Sequence, residues 1–352
     1  MNLLQNKLYL EDLIYVANLD LPWNKLNEKT FIISGASGML SSFLIDVLMF
    51  RNQNYNLKCK VIALGRNYEK AYERFSKYWE NNQFSFKKQD INRTISFNDV
   101  ESADYIFHAA SNTHPVAYAT DPVGTIMTNI LGTYNLLEFA KNHNTTRFAF
   151  ASSNEIYGEN KGDVEFFNED YCGYINSNTL RAGYPESKRA GEALCQAFIH
   201  KNNMDIVIPR FTRTYGPTML QTDTKAISQF IHKGLNNENI ILKSAGKQFY
   251  SYTYVTDAIA GFFIVLLKGD SGEAYNIADS STDITLKELA ELIAQLSNTK
   301  VVFDLPDAVE KLGYSTATKA RLSGEKIKNL GWKSKYSLTE GLSRTLKILQ
   351  TN

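Results

Sequence analysis

Tyr184-Pro-Glu-Ser-Lys188 sets a phenol and an ammonium group four residues apart. On a helix, positions i and i+4 share one face. A lysine one turn from a tyrosine can draw the phenol's pKa down from about 10 and can hold a ribose, which makes the phenol a usable acid or base near neutral pH. The spacing alone is weak in a chain with 20 tyrosines. Two other features precede it in a telling order. A glycine-rich turn, Gly35-Ala-Ser-Gly38-Met-Leu-Ser41, comes first, and Ser153 in Ala151-Ser-Ser-Asn-Glu-Ile-Tyr-Gly158 follows.

The turn stands just after an apolar strand, 30–34, and opens a helix over 42–50. Gly35 permits a sharp turn and Gly38 lets a pyrophosphate reach the backbone, with the helix N-terminus donating N–H groups. Ser37, Met39 and Leu40 belong to the same candidate dinucleotide site, and Ser41 fills the third small position. The second strand, 60–64, ends in Gly65-Arg66-Asn67. No carboxylate is present there to hold the ribose hydroxyls of NAD. Arg66 is placed to pair with a 2′-phosphate or to stack on adenine, and the choice of cofactor tilts toward NADP. Asp90 and Ile91 are candidates for the adenine. Ala109, Ala110 and Ser111 follow the strand 103–110, where small residues let a cofactor approach. His108 in that strand reads as a core histidine. Asn129 is a candidate cofactor residue, by anchoring a helix or supporting Lys188.

Further strands are expected at 84–89, 147–151, 206–210 and 274–278, and helices at 9–18, 70–79, 122–141, 222–236, 285–297 and 339–349. Strands alternate with helices and are apolar throughout rather than alternately. That pattern is an α/β, Rossmann-type, doubly wound parallel sheet buried on both faces, with a smaller C-terminal substrate lobe. The expected organisation is an N-terminal helical extension at 1–27, a dinucleotide-binding domain at 28–211 and a substrate lobe at 212–352. Residues 247–278 are expected to return to the first domain.

Composition narrows the function. The chain has 352 residues, 43% hydrophobic and 21% charged, with net charge +1. That balance argues against a large basic footprint for nucleic acid. Cys59, Cys172 and Cys195 form no metal-ligand cluster, so no metal is expected. No apolar run is long enough for a membrane span, and the first residues lack a signal-peptide core. The cytoplasm is the expected compartment.

Together these residues resemble the extended short-chain dehydrogenase/reductases that modify nucleotide sugars, the NAD-dependent epimerase/dehydratase family, over about 28–345. Asn176-x₄-Arg181-Ala-Gly-Tyr184-x₃-Lys188-Arg-Ala-Gly-Glu192 is most similar to UDP-glucuronate decarboxylases, as is Asp121-Pro-Val-Gly-Thr-x₃-Asn129-x₂-Gly132-Thr. Thr214-Tyr-Gly-Pro217, Tyr254-Val-Thr-Asp257 and Leu330-Gly-Trp332 are general marks of the group. The resemblance implies a nucleotide-sugar substrate and a homodimer built on helices 122–141 and 184–201. It implies that Tyr184 takes a proton from a sugar hydroxyl, usually at C4, that Lys188 holds the nicotinamide ribose, and that Ser153 hydrogen-bonds the same oxygen. A 4-keto sugar results, and the hydride is later returned.

Ser153-Asn154-Glu155 bears on the second step. Dehydratases of the group carry Asp-Glu there; Asn154 is no carboxylic acid, while Glu155 either abstracts a C5 proton or is a structural hydrogen-bonding residue. Two departures stand out. Arg213 replaces the group's asparagine before Thr-Tyr-Gly-Pro, and Tyr250 replaces its diphosphate-binding arginine. A positional swap would let Arg213 supply the lost charge. With Ser111, Asn154 and Arg181, these form the candidate substrate site. The departures are compatible with a substrate other than UDP-glucuronate, including a CDP-linked one. The competing reading is an NADPH-dependent reductase of a nucleotide-linked keto sugar.

Overall fold

The computed structural model describes residues 3–97, 99–304 and 318–351. Its main sheet uses β1 (Thr30–Ser34), β2 (Lys60–Gly65), β3 (Phe84–Lys88), β4 (Tyr105–His108), β5 (Arg147–Phe150), β6 (Ser152–Ser153) and β7 (Ile206–Phe211). After β8 (Arg213–Tyr215), β9 (Ile240–Leu242) and β10 (Phe249–Tyr254), β11 (Ala274–Ile277) completes it. The order is β11-β7-β5-β4-β1-β2-β3, with β6 also on β7. Every pairing in this sheet is parallel.

All five residues of β1 are buried, because helices cover both faces of the sheet. Phe31 and Ile33 face a core shared with α1 (Lys7–Ala17), α2 (Met39–Tyr55) and, further along the chain, helix Val255–Lys268. Ile32, aligned with Ile62 and Ile106 on either side, faces the opposite core. That second core is filled from the helices Pro122–Asn142 and Gly183–Asn202. One strand thus commits residues to both faces, as its unbroken apolar run implied.

The helix expected at 42–50 is the longer α2. Gly38 starts it, and Asn56 ends it in the left-handed region at φ 50°. The helix expected at 70–79 stops early as α3 (Tyr68–Phe75), followed by a tighter turn over Ser76–Tyr78. The short α4 (Pro115–Thr120) was not anticipated; the His114 side chain accepts the Ala117 N–H and Pro115 occupies the first turn. α5 (Pro122–Asn142) and α6 (Gly183–Asn202) lie side by side. α7 (Ala226–Leu235) begins later than expected. The Asp223 carboxylate accepts the Lys225 N–H and folds the preceding residues into a turn instead.

A smaller sheet centres on β10. It pairs antiparallel with β12 (Asp283–Thr285) and parallel with β8 and β14 (Lys319–Ala320). α8 (Val255–Lys268) follows β10, is buried along nearly its whole length and packs on α2 and β7. β9 pairs with β13 (Val301–Phe303). α9 (Leu286–Ser297) opens with a capping box between Thr285 and Glu288.

The two ends of the chain meet. Asp12 on α1 accepts the Tyr254 hydroxyl at 2.6 Å and pairs with Arg344 of the C-terminal helix Leu338–Gln350 at 2.9 Å. Asn6 also bonds Thr351. Tyr9 on the same helix donates to Asp46 on α2, where Arg74 and Tyr78 converge. Among the described residues, no helix is long and apolar enough to cross a membrane.

Candidate active site

β1 delivers the chain into the glycine turn against the end of β4. Gly35 has φ 64°, and a Cβ there would lie 2.8 Å from the Ala110 Cα and 2.9 Å from its nitrogen. Backbone strain and backbone contact both demand glycine. The adjacent Ser34 Oγ accepts the N–H groups of Ala109 and Ala110 and bonds His108 Nδ1. The other His108 nitrogen bonds Thr133 Oγ1 at 3.0 Å. Burial, helped by Lys188, holds this imidazole well below its ordinary pKa. His108 is therefore a neutral, satisfied core histidine. Gly38 caps α2 without a side chain, so no cap oxygen covers the helix's first N–H groups, which start at the cavity wall.

With one exception, every residue singled out above as a cofactor, substrate or acid–base candidate lines a single cavity of about 650 Å³. At one end it meets the glycine turn, the exposed Arg66 after β2, and Asp90 and Ile91 after β3. At the other it meets Ser153, Asn154, Glu155, Arg181, Tyr184, Lys188, Arg213 and Tyr250. The exception is Asn129. It is wholly buried behind the wall, where Oδ1 accepts from Ser111 Oγ at 2.7 Å and Nδ2 donates to Ser187 Oγ at 2.9 Å. Asn129 ties the Ser111 loop to α6.

α6 places Tyr184 and Lys188 on the same buried face. The Ser153 and Tyr118 hydroxyls both act on the Tyr184 phenol, and the Tyr118 ring is stacked on its own at 4.7 Å between centroids. Burial pushes the Tyr184 hydroxyl up to about 12, and the Glu155 carboxylate adds to the rise. The Ser153 bond, the Arg181 charge and the Tyr118 bond oppose it. The Lys188 ammonium donates to the Ala151 carbonyl at 2.8 Å and lies 4.9 Å from the Phe150 ring centre. Burial pulls Lys188 itself down to about 8.

Ser153 caps the tight turn Asn154–Tyr157 by accepting the Glu155 N–H. Glu155 is then ion-paired with Arg181, both largely buried. The Arg181 guanidinium also lies over the Tyr118 ring at 4.7 Å. Tyr118 thus touches both Tyr184 and Arg181, yet sequence reasoning passed over it. The available signal was His114-Pro115, a helix start that brings Tyr118 one turn into α4. Arg213 lies flat on Tyr250, with its carbon 3.4 Å from the ring centre. Among the described residues, no group of His, Cys, Asp and Glu is arranged to hold a metal ion.

Residues 31–278 match the NAD dependent epimerase/dehydratase family. The chain belongs to that family. As a member it is an enzyme, and its relatives sharpen the comparison. UDP-glucuronic acid decarboxylase 5 of Arabidopsis thaliana is 31% identical over 315 residues, which cover 88% of this chain and 86% of the relative. UDP-glucuronic acid decarboxylase 1 of Danio rerio is 29% identical over 326 residues, covering 91% and 72%. Among solved structures, the UDP-glucuronic acid 4-epimerase of Bacillus cereus in complex with UDP-glucuronic acid and NAD aligns with a TM-score of 0.76 at 21% identity, covering 92% of this chain and 99% of that one. The epimerase Mth375 of Methanothermobacter thermautotrophicus aligns with a TM-score of 0.79 at 22% identity, covering 94% of each. These structures establish the family's Rossmann-type fold here.

Proposed function

We propose that this family member is a redox-neutral, NAD(P)-dependent enzyme that remodels a nucleotide-linked sugar by oxidising a ring hydroxyl, at C4, to a ketone. Within the decarboxylase, dehydratase and epimerase types, loss of a C5 carboxylate from a UDP-glucuronate-like substrate is the reading best supported. The observation that carries it is the placement of the Tyr184–Ser153 pair beside the Glu155–Arg181 ion pair, in a cavity that runs on to the glycine turn.

The chain fits a dinucleotide. A Cβ at Gly35 would fill the cradle against Ala110, and α2 starts without a capping side chain. Gly35, Ser37, Gly38, Met39 and Leu40 would hold the pyrophosphate, Arg66, Asp90 and Ile91 the adenosine end, and Ala109, Ala110, Ser111 and Lys188 the nicotinamide end. When bound, the nicotinamide supplies acceptance and later return of a hydride. Tyr184 takes the hydroxyl proton, and Ser153 donates to the same oxygen as it becomes a carbonyl. Lys188, pinned on the Ala151 carbonyl, holds the ribose. When CO₂ leaves C5, the electron pair of the broken C–C bond flows into the C4 carbonyl, and the resulting enolate oxygen is met by Ser153 and Tyr184. C5 then takes up a proton that comes from water by way of Glu155, which Arg181 aims, while Asn154 binds sugar oxygens without serving as an acid.

Incubation with UDP-glucuronate, followed by proton NMR and mass spectrometry, should give a UDP-pentose and CO₂ without consuming added nicotinamide. Absence of turnover with UDP-glucuronate, UDP-glucose and their CDP and GDP counterparts would overturn the reading. Arg66 at the end of β2 favours the NADPH-dependent reductase as the second reading; cofactor lost in gel filtration, with NADPH consumed stoichiometrically on a keto sugar, would establish it. The functional division assigns 28–211 to cofactor and 212–352 mainly to substrate, with 247–278 returning through β11 to the main sheet. α5 leaves Val123, Met127 and Tyr134 exposed at 69%, 41% and 44%, which supports a homodimer formed by α5 and α6 of two chains.

A further inference from the structure

Arg213 stands where the large cavity meets a second, smaller one of about 200 Å³. Both cavities share Asn154, Glu155, Arg181 and Arg213. Each arginine has one buried N–H without a partner, Nε of Arg181 and Nη1 of Arg213, but the two differ in charge pairing. Arg181 is neutralised by Glu155. Arg213 has no carboxylate partner among the described residues, and its Nη1 is buried with no hydrogen-bond partner. An unanswered N–H on a buried guanidinium is costly unless a ligand answers it.

The surroundings fix the direction of this charge. β8 and β10 run parallel with Arg213 beside Tyr252, and the guanidinium lies face-on over the Tyr250 ring. A ring face can hold a guanidinium by cation–π attraction, and Nη1 is left for an anionic oxygen. Arg213 lines both cavities together with Glu155 and Arg181, and Tyr184 lines the larger of them.

We propose that Arg213 is the substrate's anion anchor, taking an anionic oxygen at the junction of the two cavities. The anion belongs to the substrate's diphosphate or to a carboxylate on its sugar. This rests on the nucleotide-sugar reading. Arg213 sets specificity and affinity and is not itself an acid or base. Because the ring of Tyr250 orients the guanidinium, Tyr250 is a positioning residue for it.

The test is calorimetric titration of the NAD⁺-loaded enzyme and its R213Q and R213K variants with UDP, UDP-glucose and UDP-glucuronate. R213Q should weaken binding about ten- to a hundredfold, the span expected for a charge-assisted hydrogen-bonded pair. R213K, which keeps the charge but loses the guanidinium, should recover part of it. Thermal melts check that each variant is folded. A loss confined to UDP-glucuronate assigns the anion to the sugar carboxylate, and an equal loss for all three assigns it to the diphosphate. Wild-type binding with no change in R213Q overturns the proposal alone. Wild-type failure to bind all three overturns the nucleotide-sugar reading and the proposal with it.

Discussion

Tyr118 offers a sharp test of how the phenol is tuned. The Tyr118→Phe variant removes one hydroxyl and keeps the ring that stacks on Tyr184 at 4.7 Å and 28°. In the wild type that hydroxyl opposes the rise in the Tyr184 pKa caused by burial. Proton abstraction needs Tyr184 as phenolate, so kcat/KM rises with pH through its pKa. A hydrogen bond to a charged acceptor is worth roughly 1.5–3 kcal/mol, and 1.36 kcal/mol is one pKa unit. Below the Tyr184 pKa the Y118F profile should therefore run parallel to that of the wild type but about ten- to a hundredfold lower, the equivalent of one to two pKa units. At neutral pH, kcat/KM should fall about tenfold or more. The assay is kcat/KM against pH from 6 to 10 for both proteins, with product read by mass spectrometry. Superimposed profiles, or a higher one for Y118F, would refute the claim that Tyr118 supports the phenolate.

Three other outcomes follow from the same geometry. Gly35→Ala should lower stability by about 2 kcal/mol or more, from left-handed strain and a Cβ 2.8 Å from the Ala110 backbone; urea unfolding measures it, and an unchanged midpoint would contradict the turn's geometry. Asp257 is held by the Lys335 and Tyr336 N–H groups, yet burial raises its carboxyl from 3.8 to about 7. Its native form binds more protons than the unfolded chain between those values, so its contribution to stability falls as pH rises from about 4 to 7. Asp257→Asn should flatten that part of the stability–pH curve in denaturant melts. Val123→Glu with Met127→Glu should convert the proposed dimer to monomer in light scattering, with the fold intact by circular dichroism.

Legibility in the sequence tracked how local each cause was. Gly35 and Gly38 were readable because a backbone approach needs glycine whatever surrounds it. Tyr184 and Lys188 were readable because helix geometry alone puts them on one face. The acceptor of Lys188 was not, since the Ala151 carbonyl is backbone and leaves no residue signature. Asn129 carried a motif, yet its distance from the cavity depends on how α5 meets α6. Tyr118 depends on α4, a six-residue helix fixed by its contacts more than by its own periodicity. The main sheet announced itself through continuous apolar runs. The small sheet did not, because β8, β12 and β14 are two or three residues long and come from distant segments.

The meeting of the chain ends sets an order in time. Asp12 is made early, but its cationic partner Arg344 is 332 residues further along. At roughly 5–20 residues per second, the ribosome needs about 20–60 seconds to supply it. Until then α1 has no arginine for a carboxylate that burial would otherwise leave exposed to the full cost of desolvation. The Asp12 pairing can thus be completed only after Arg344 has been made, whereas the Tyr9–Asp46 bond that ties α1 to α2 needs no residue beyond the first fifty.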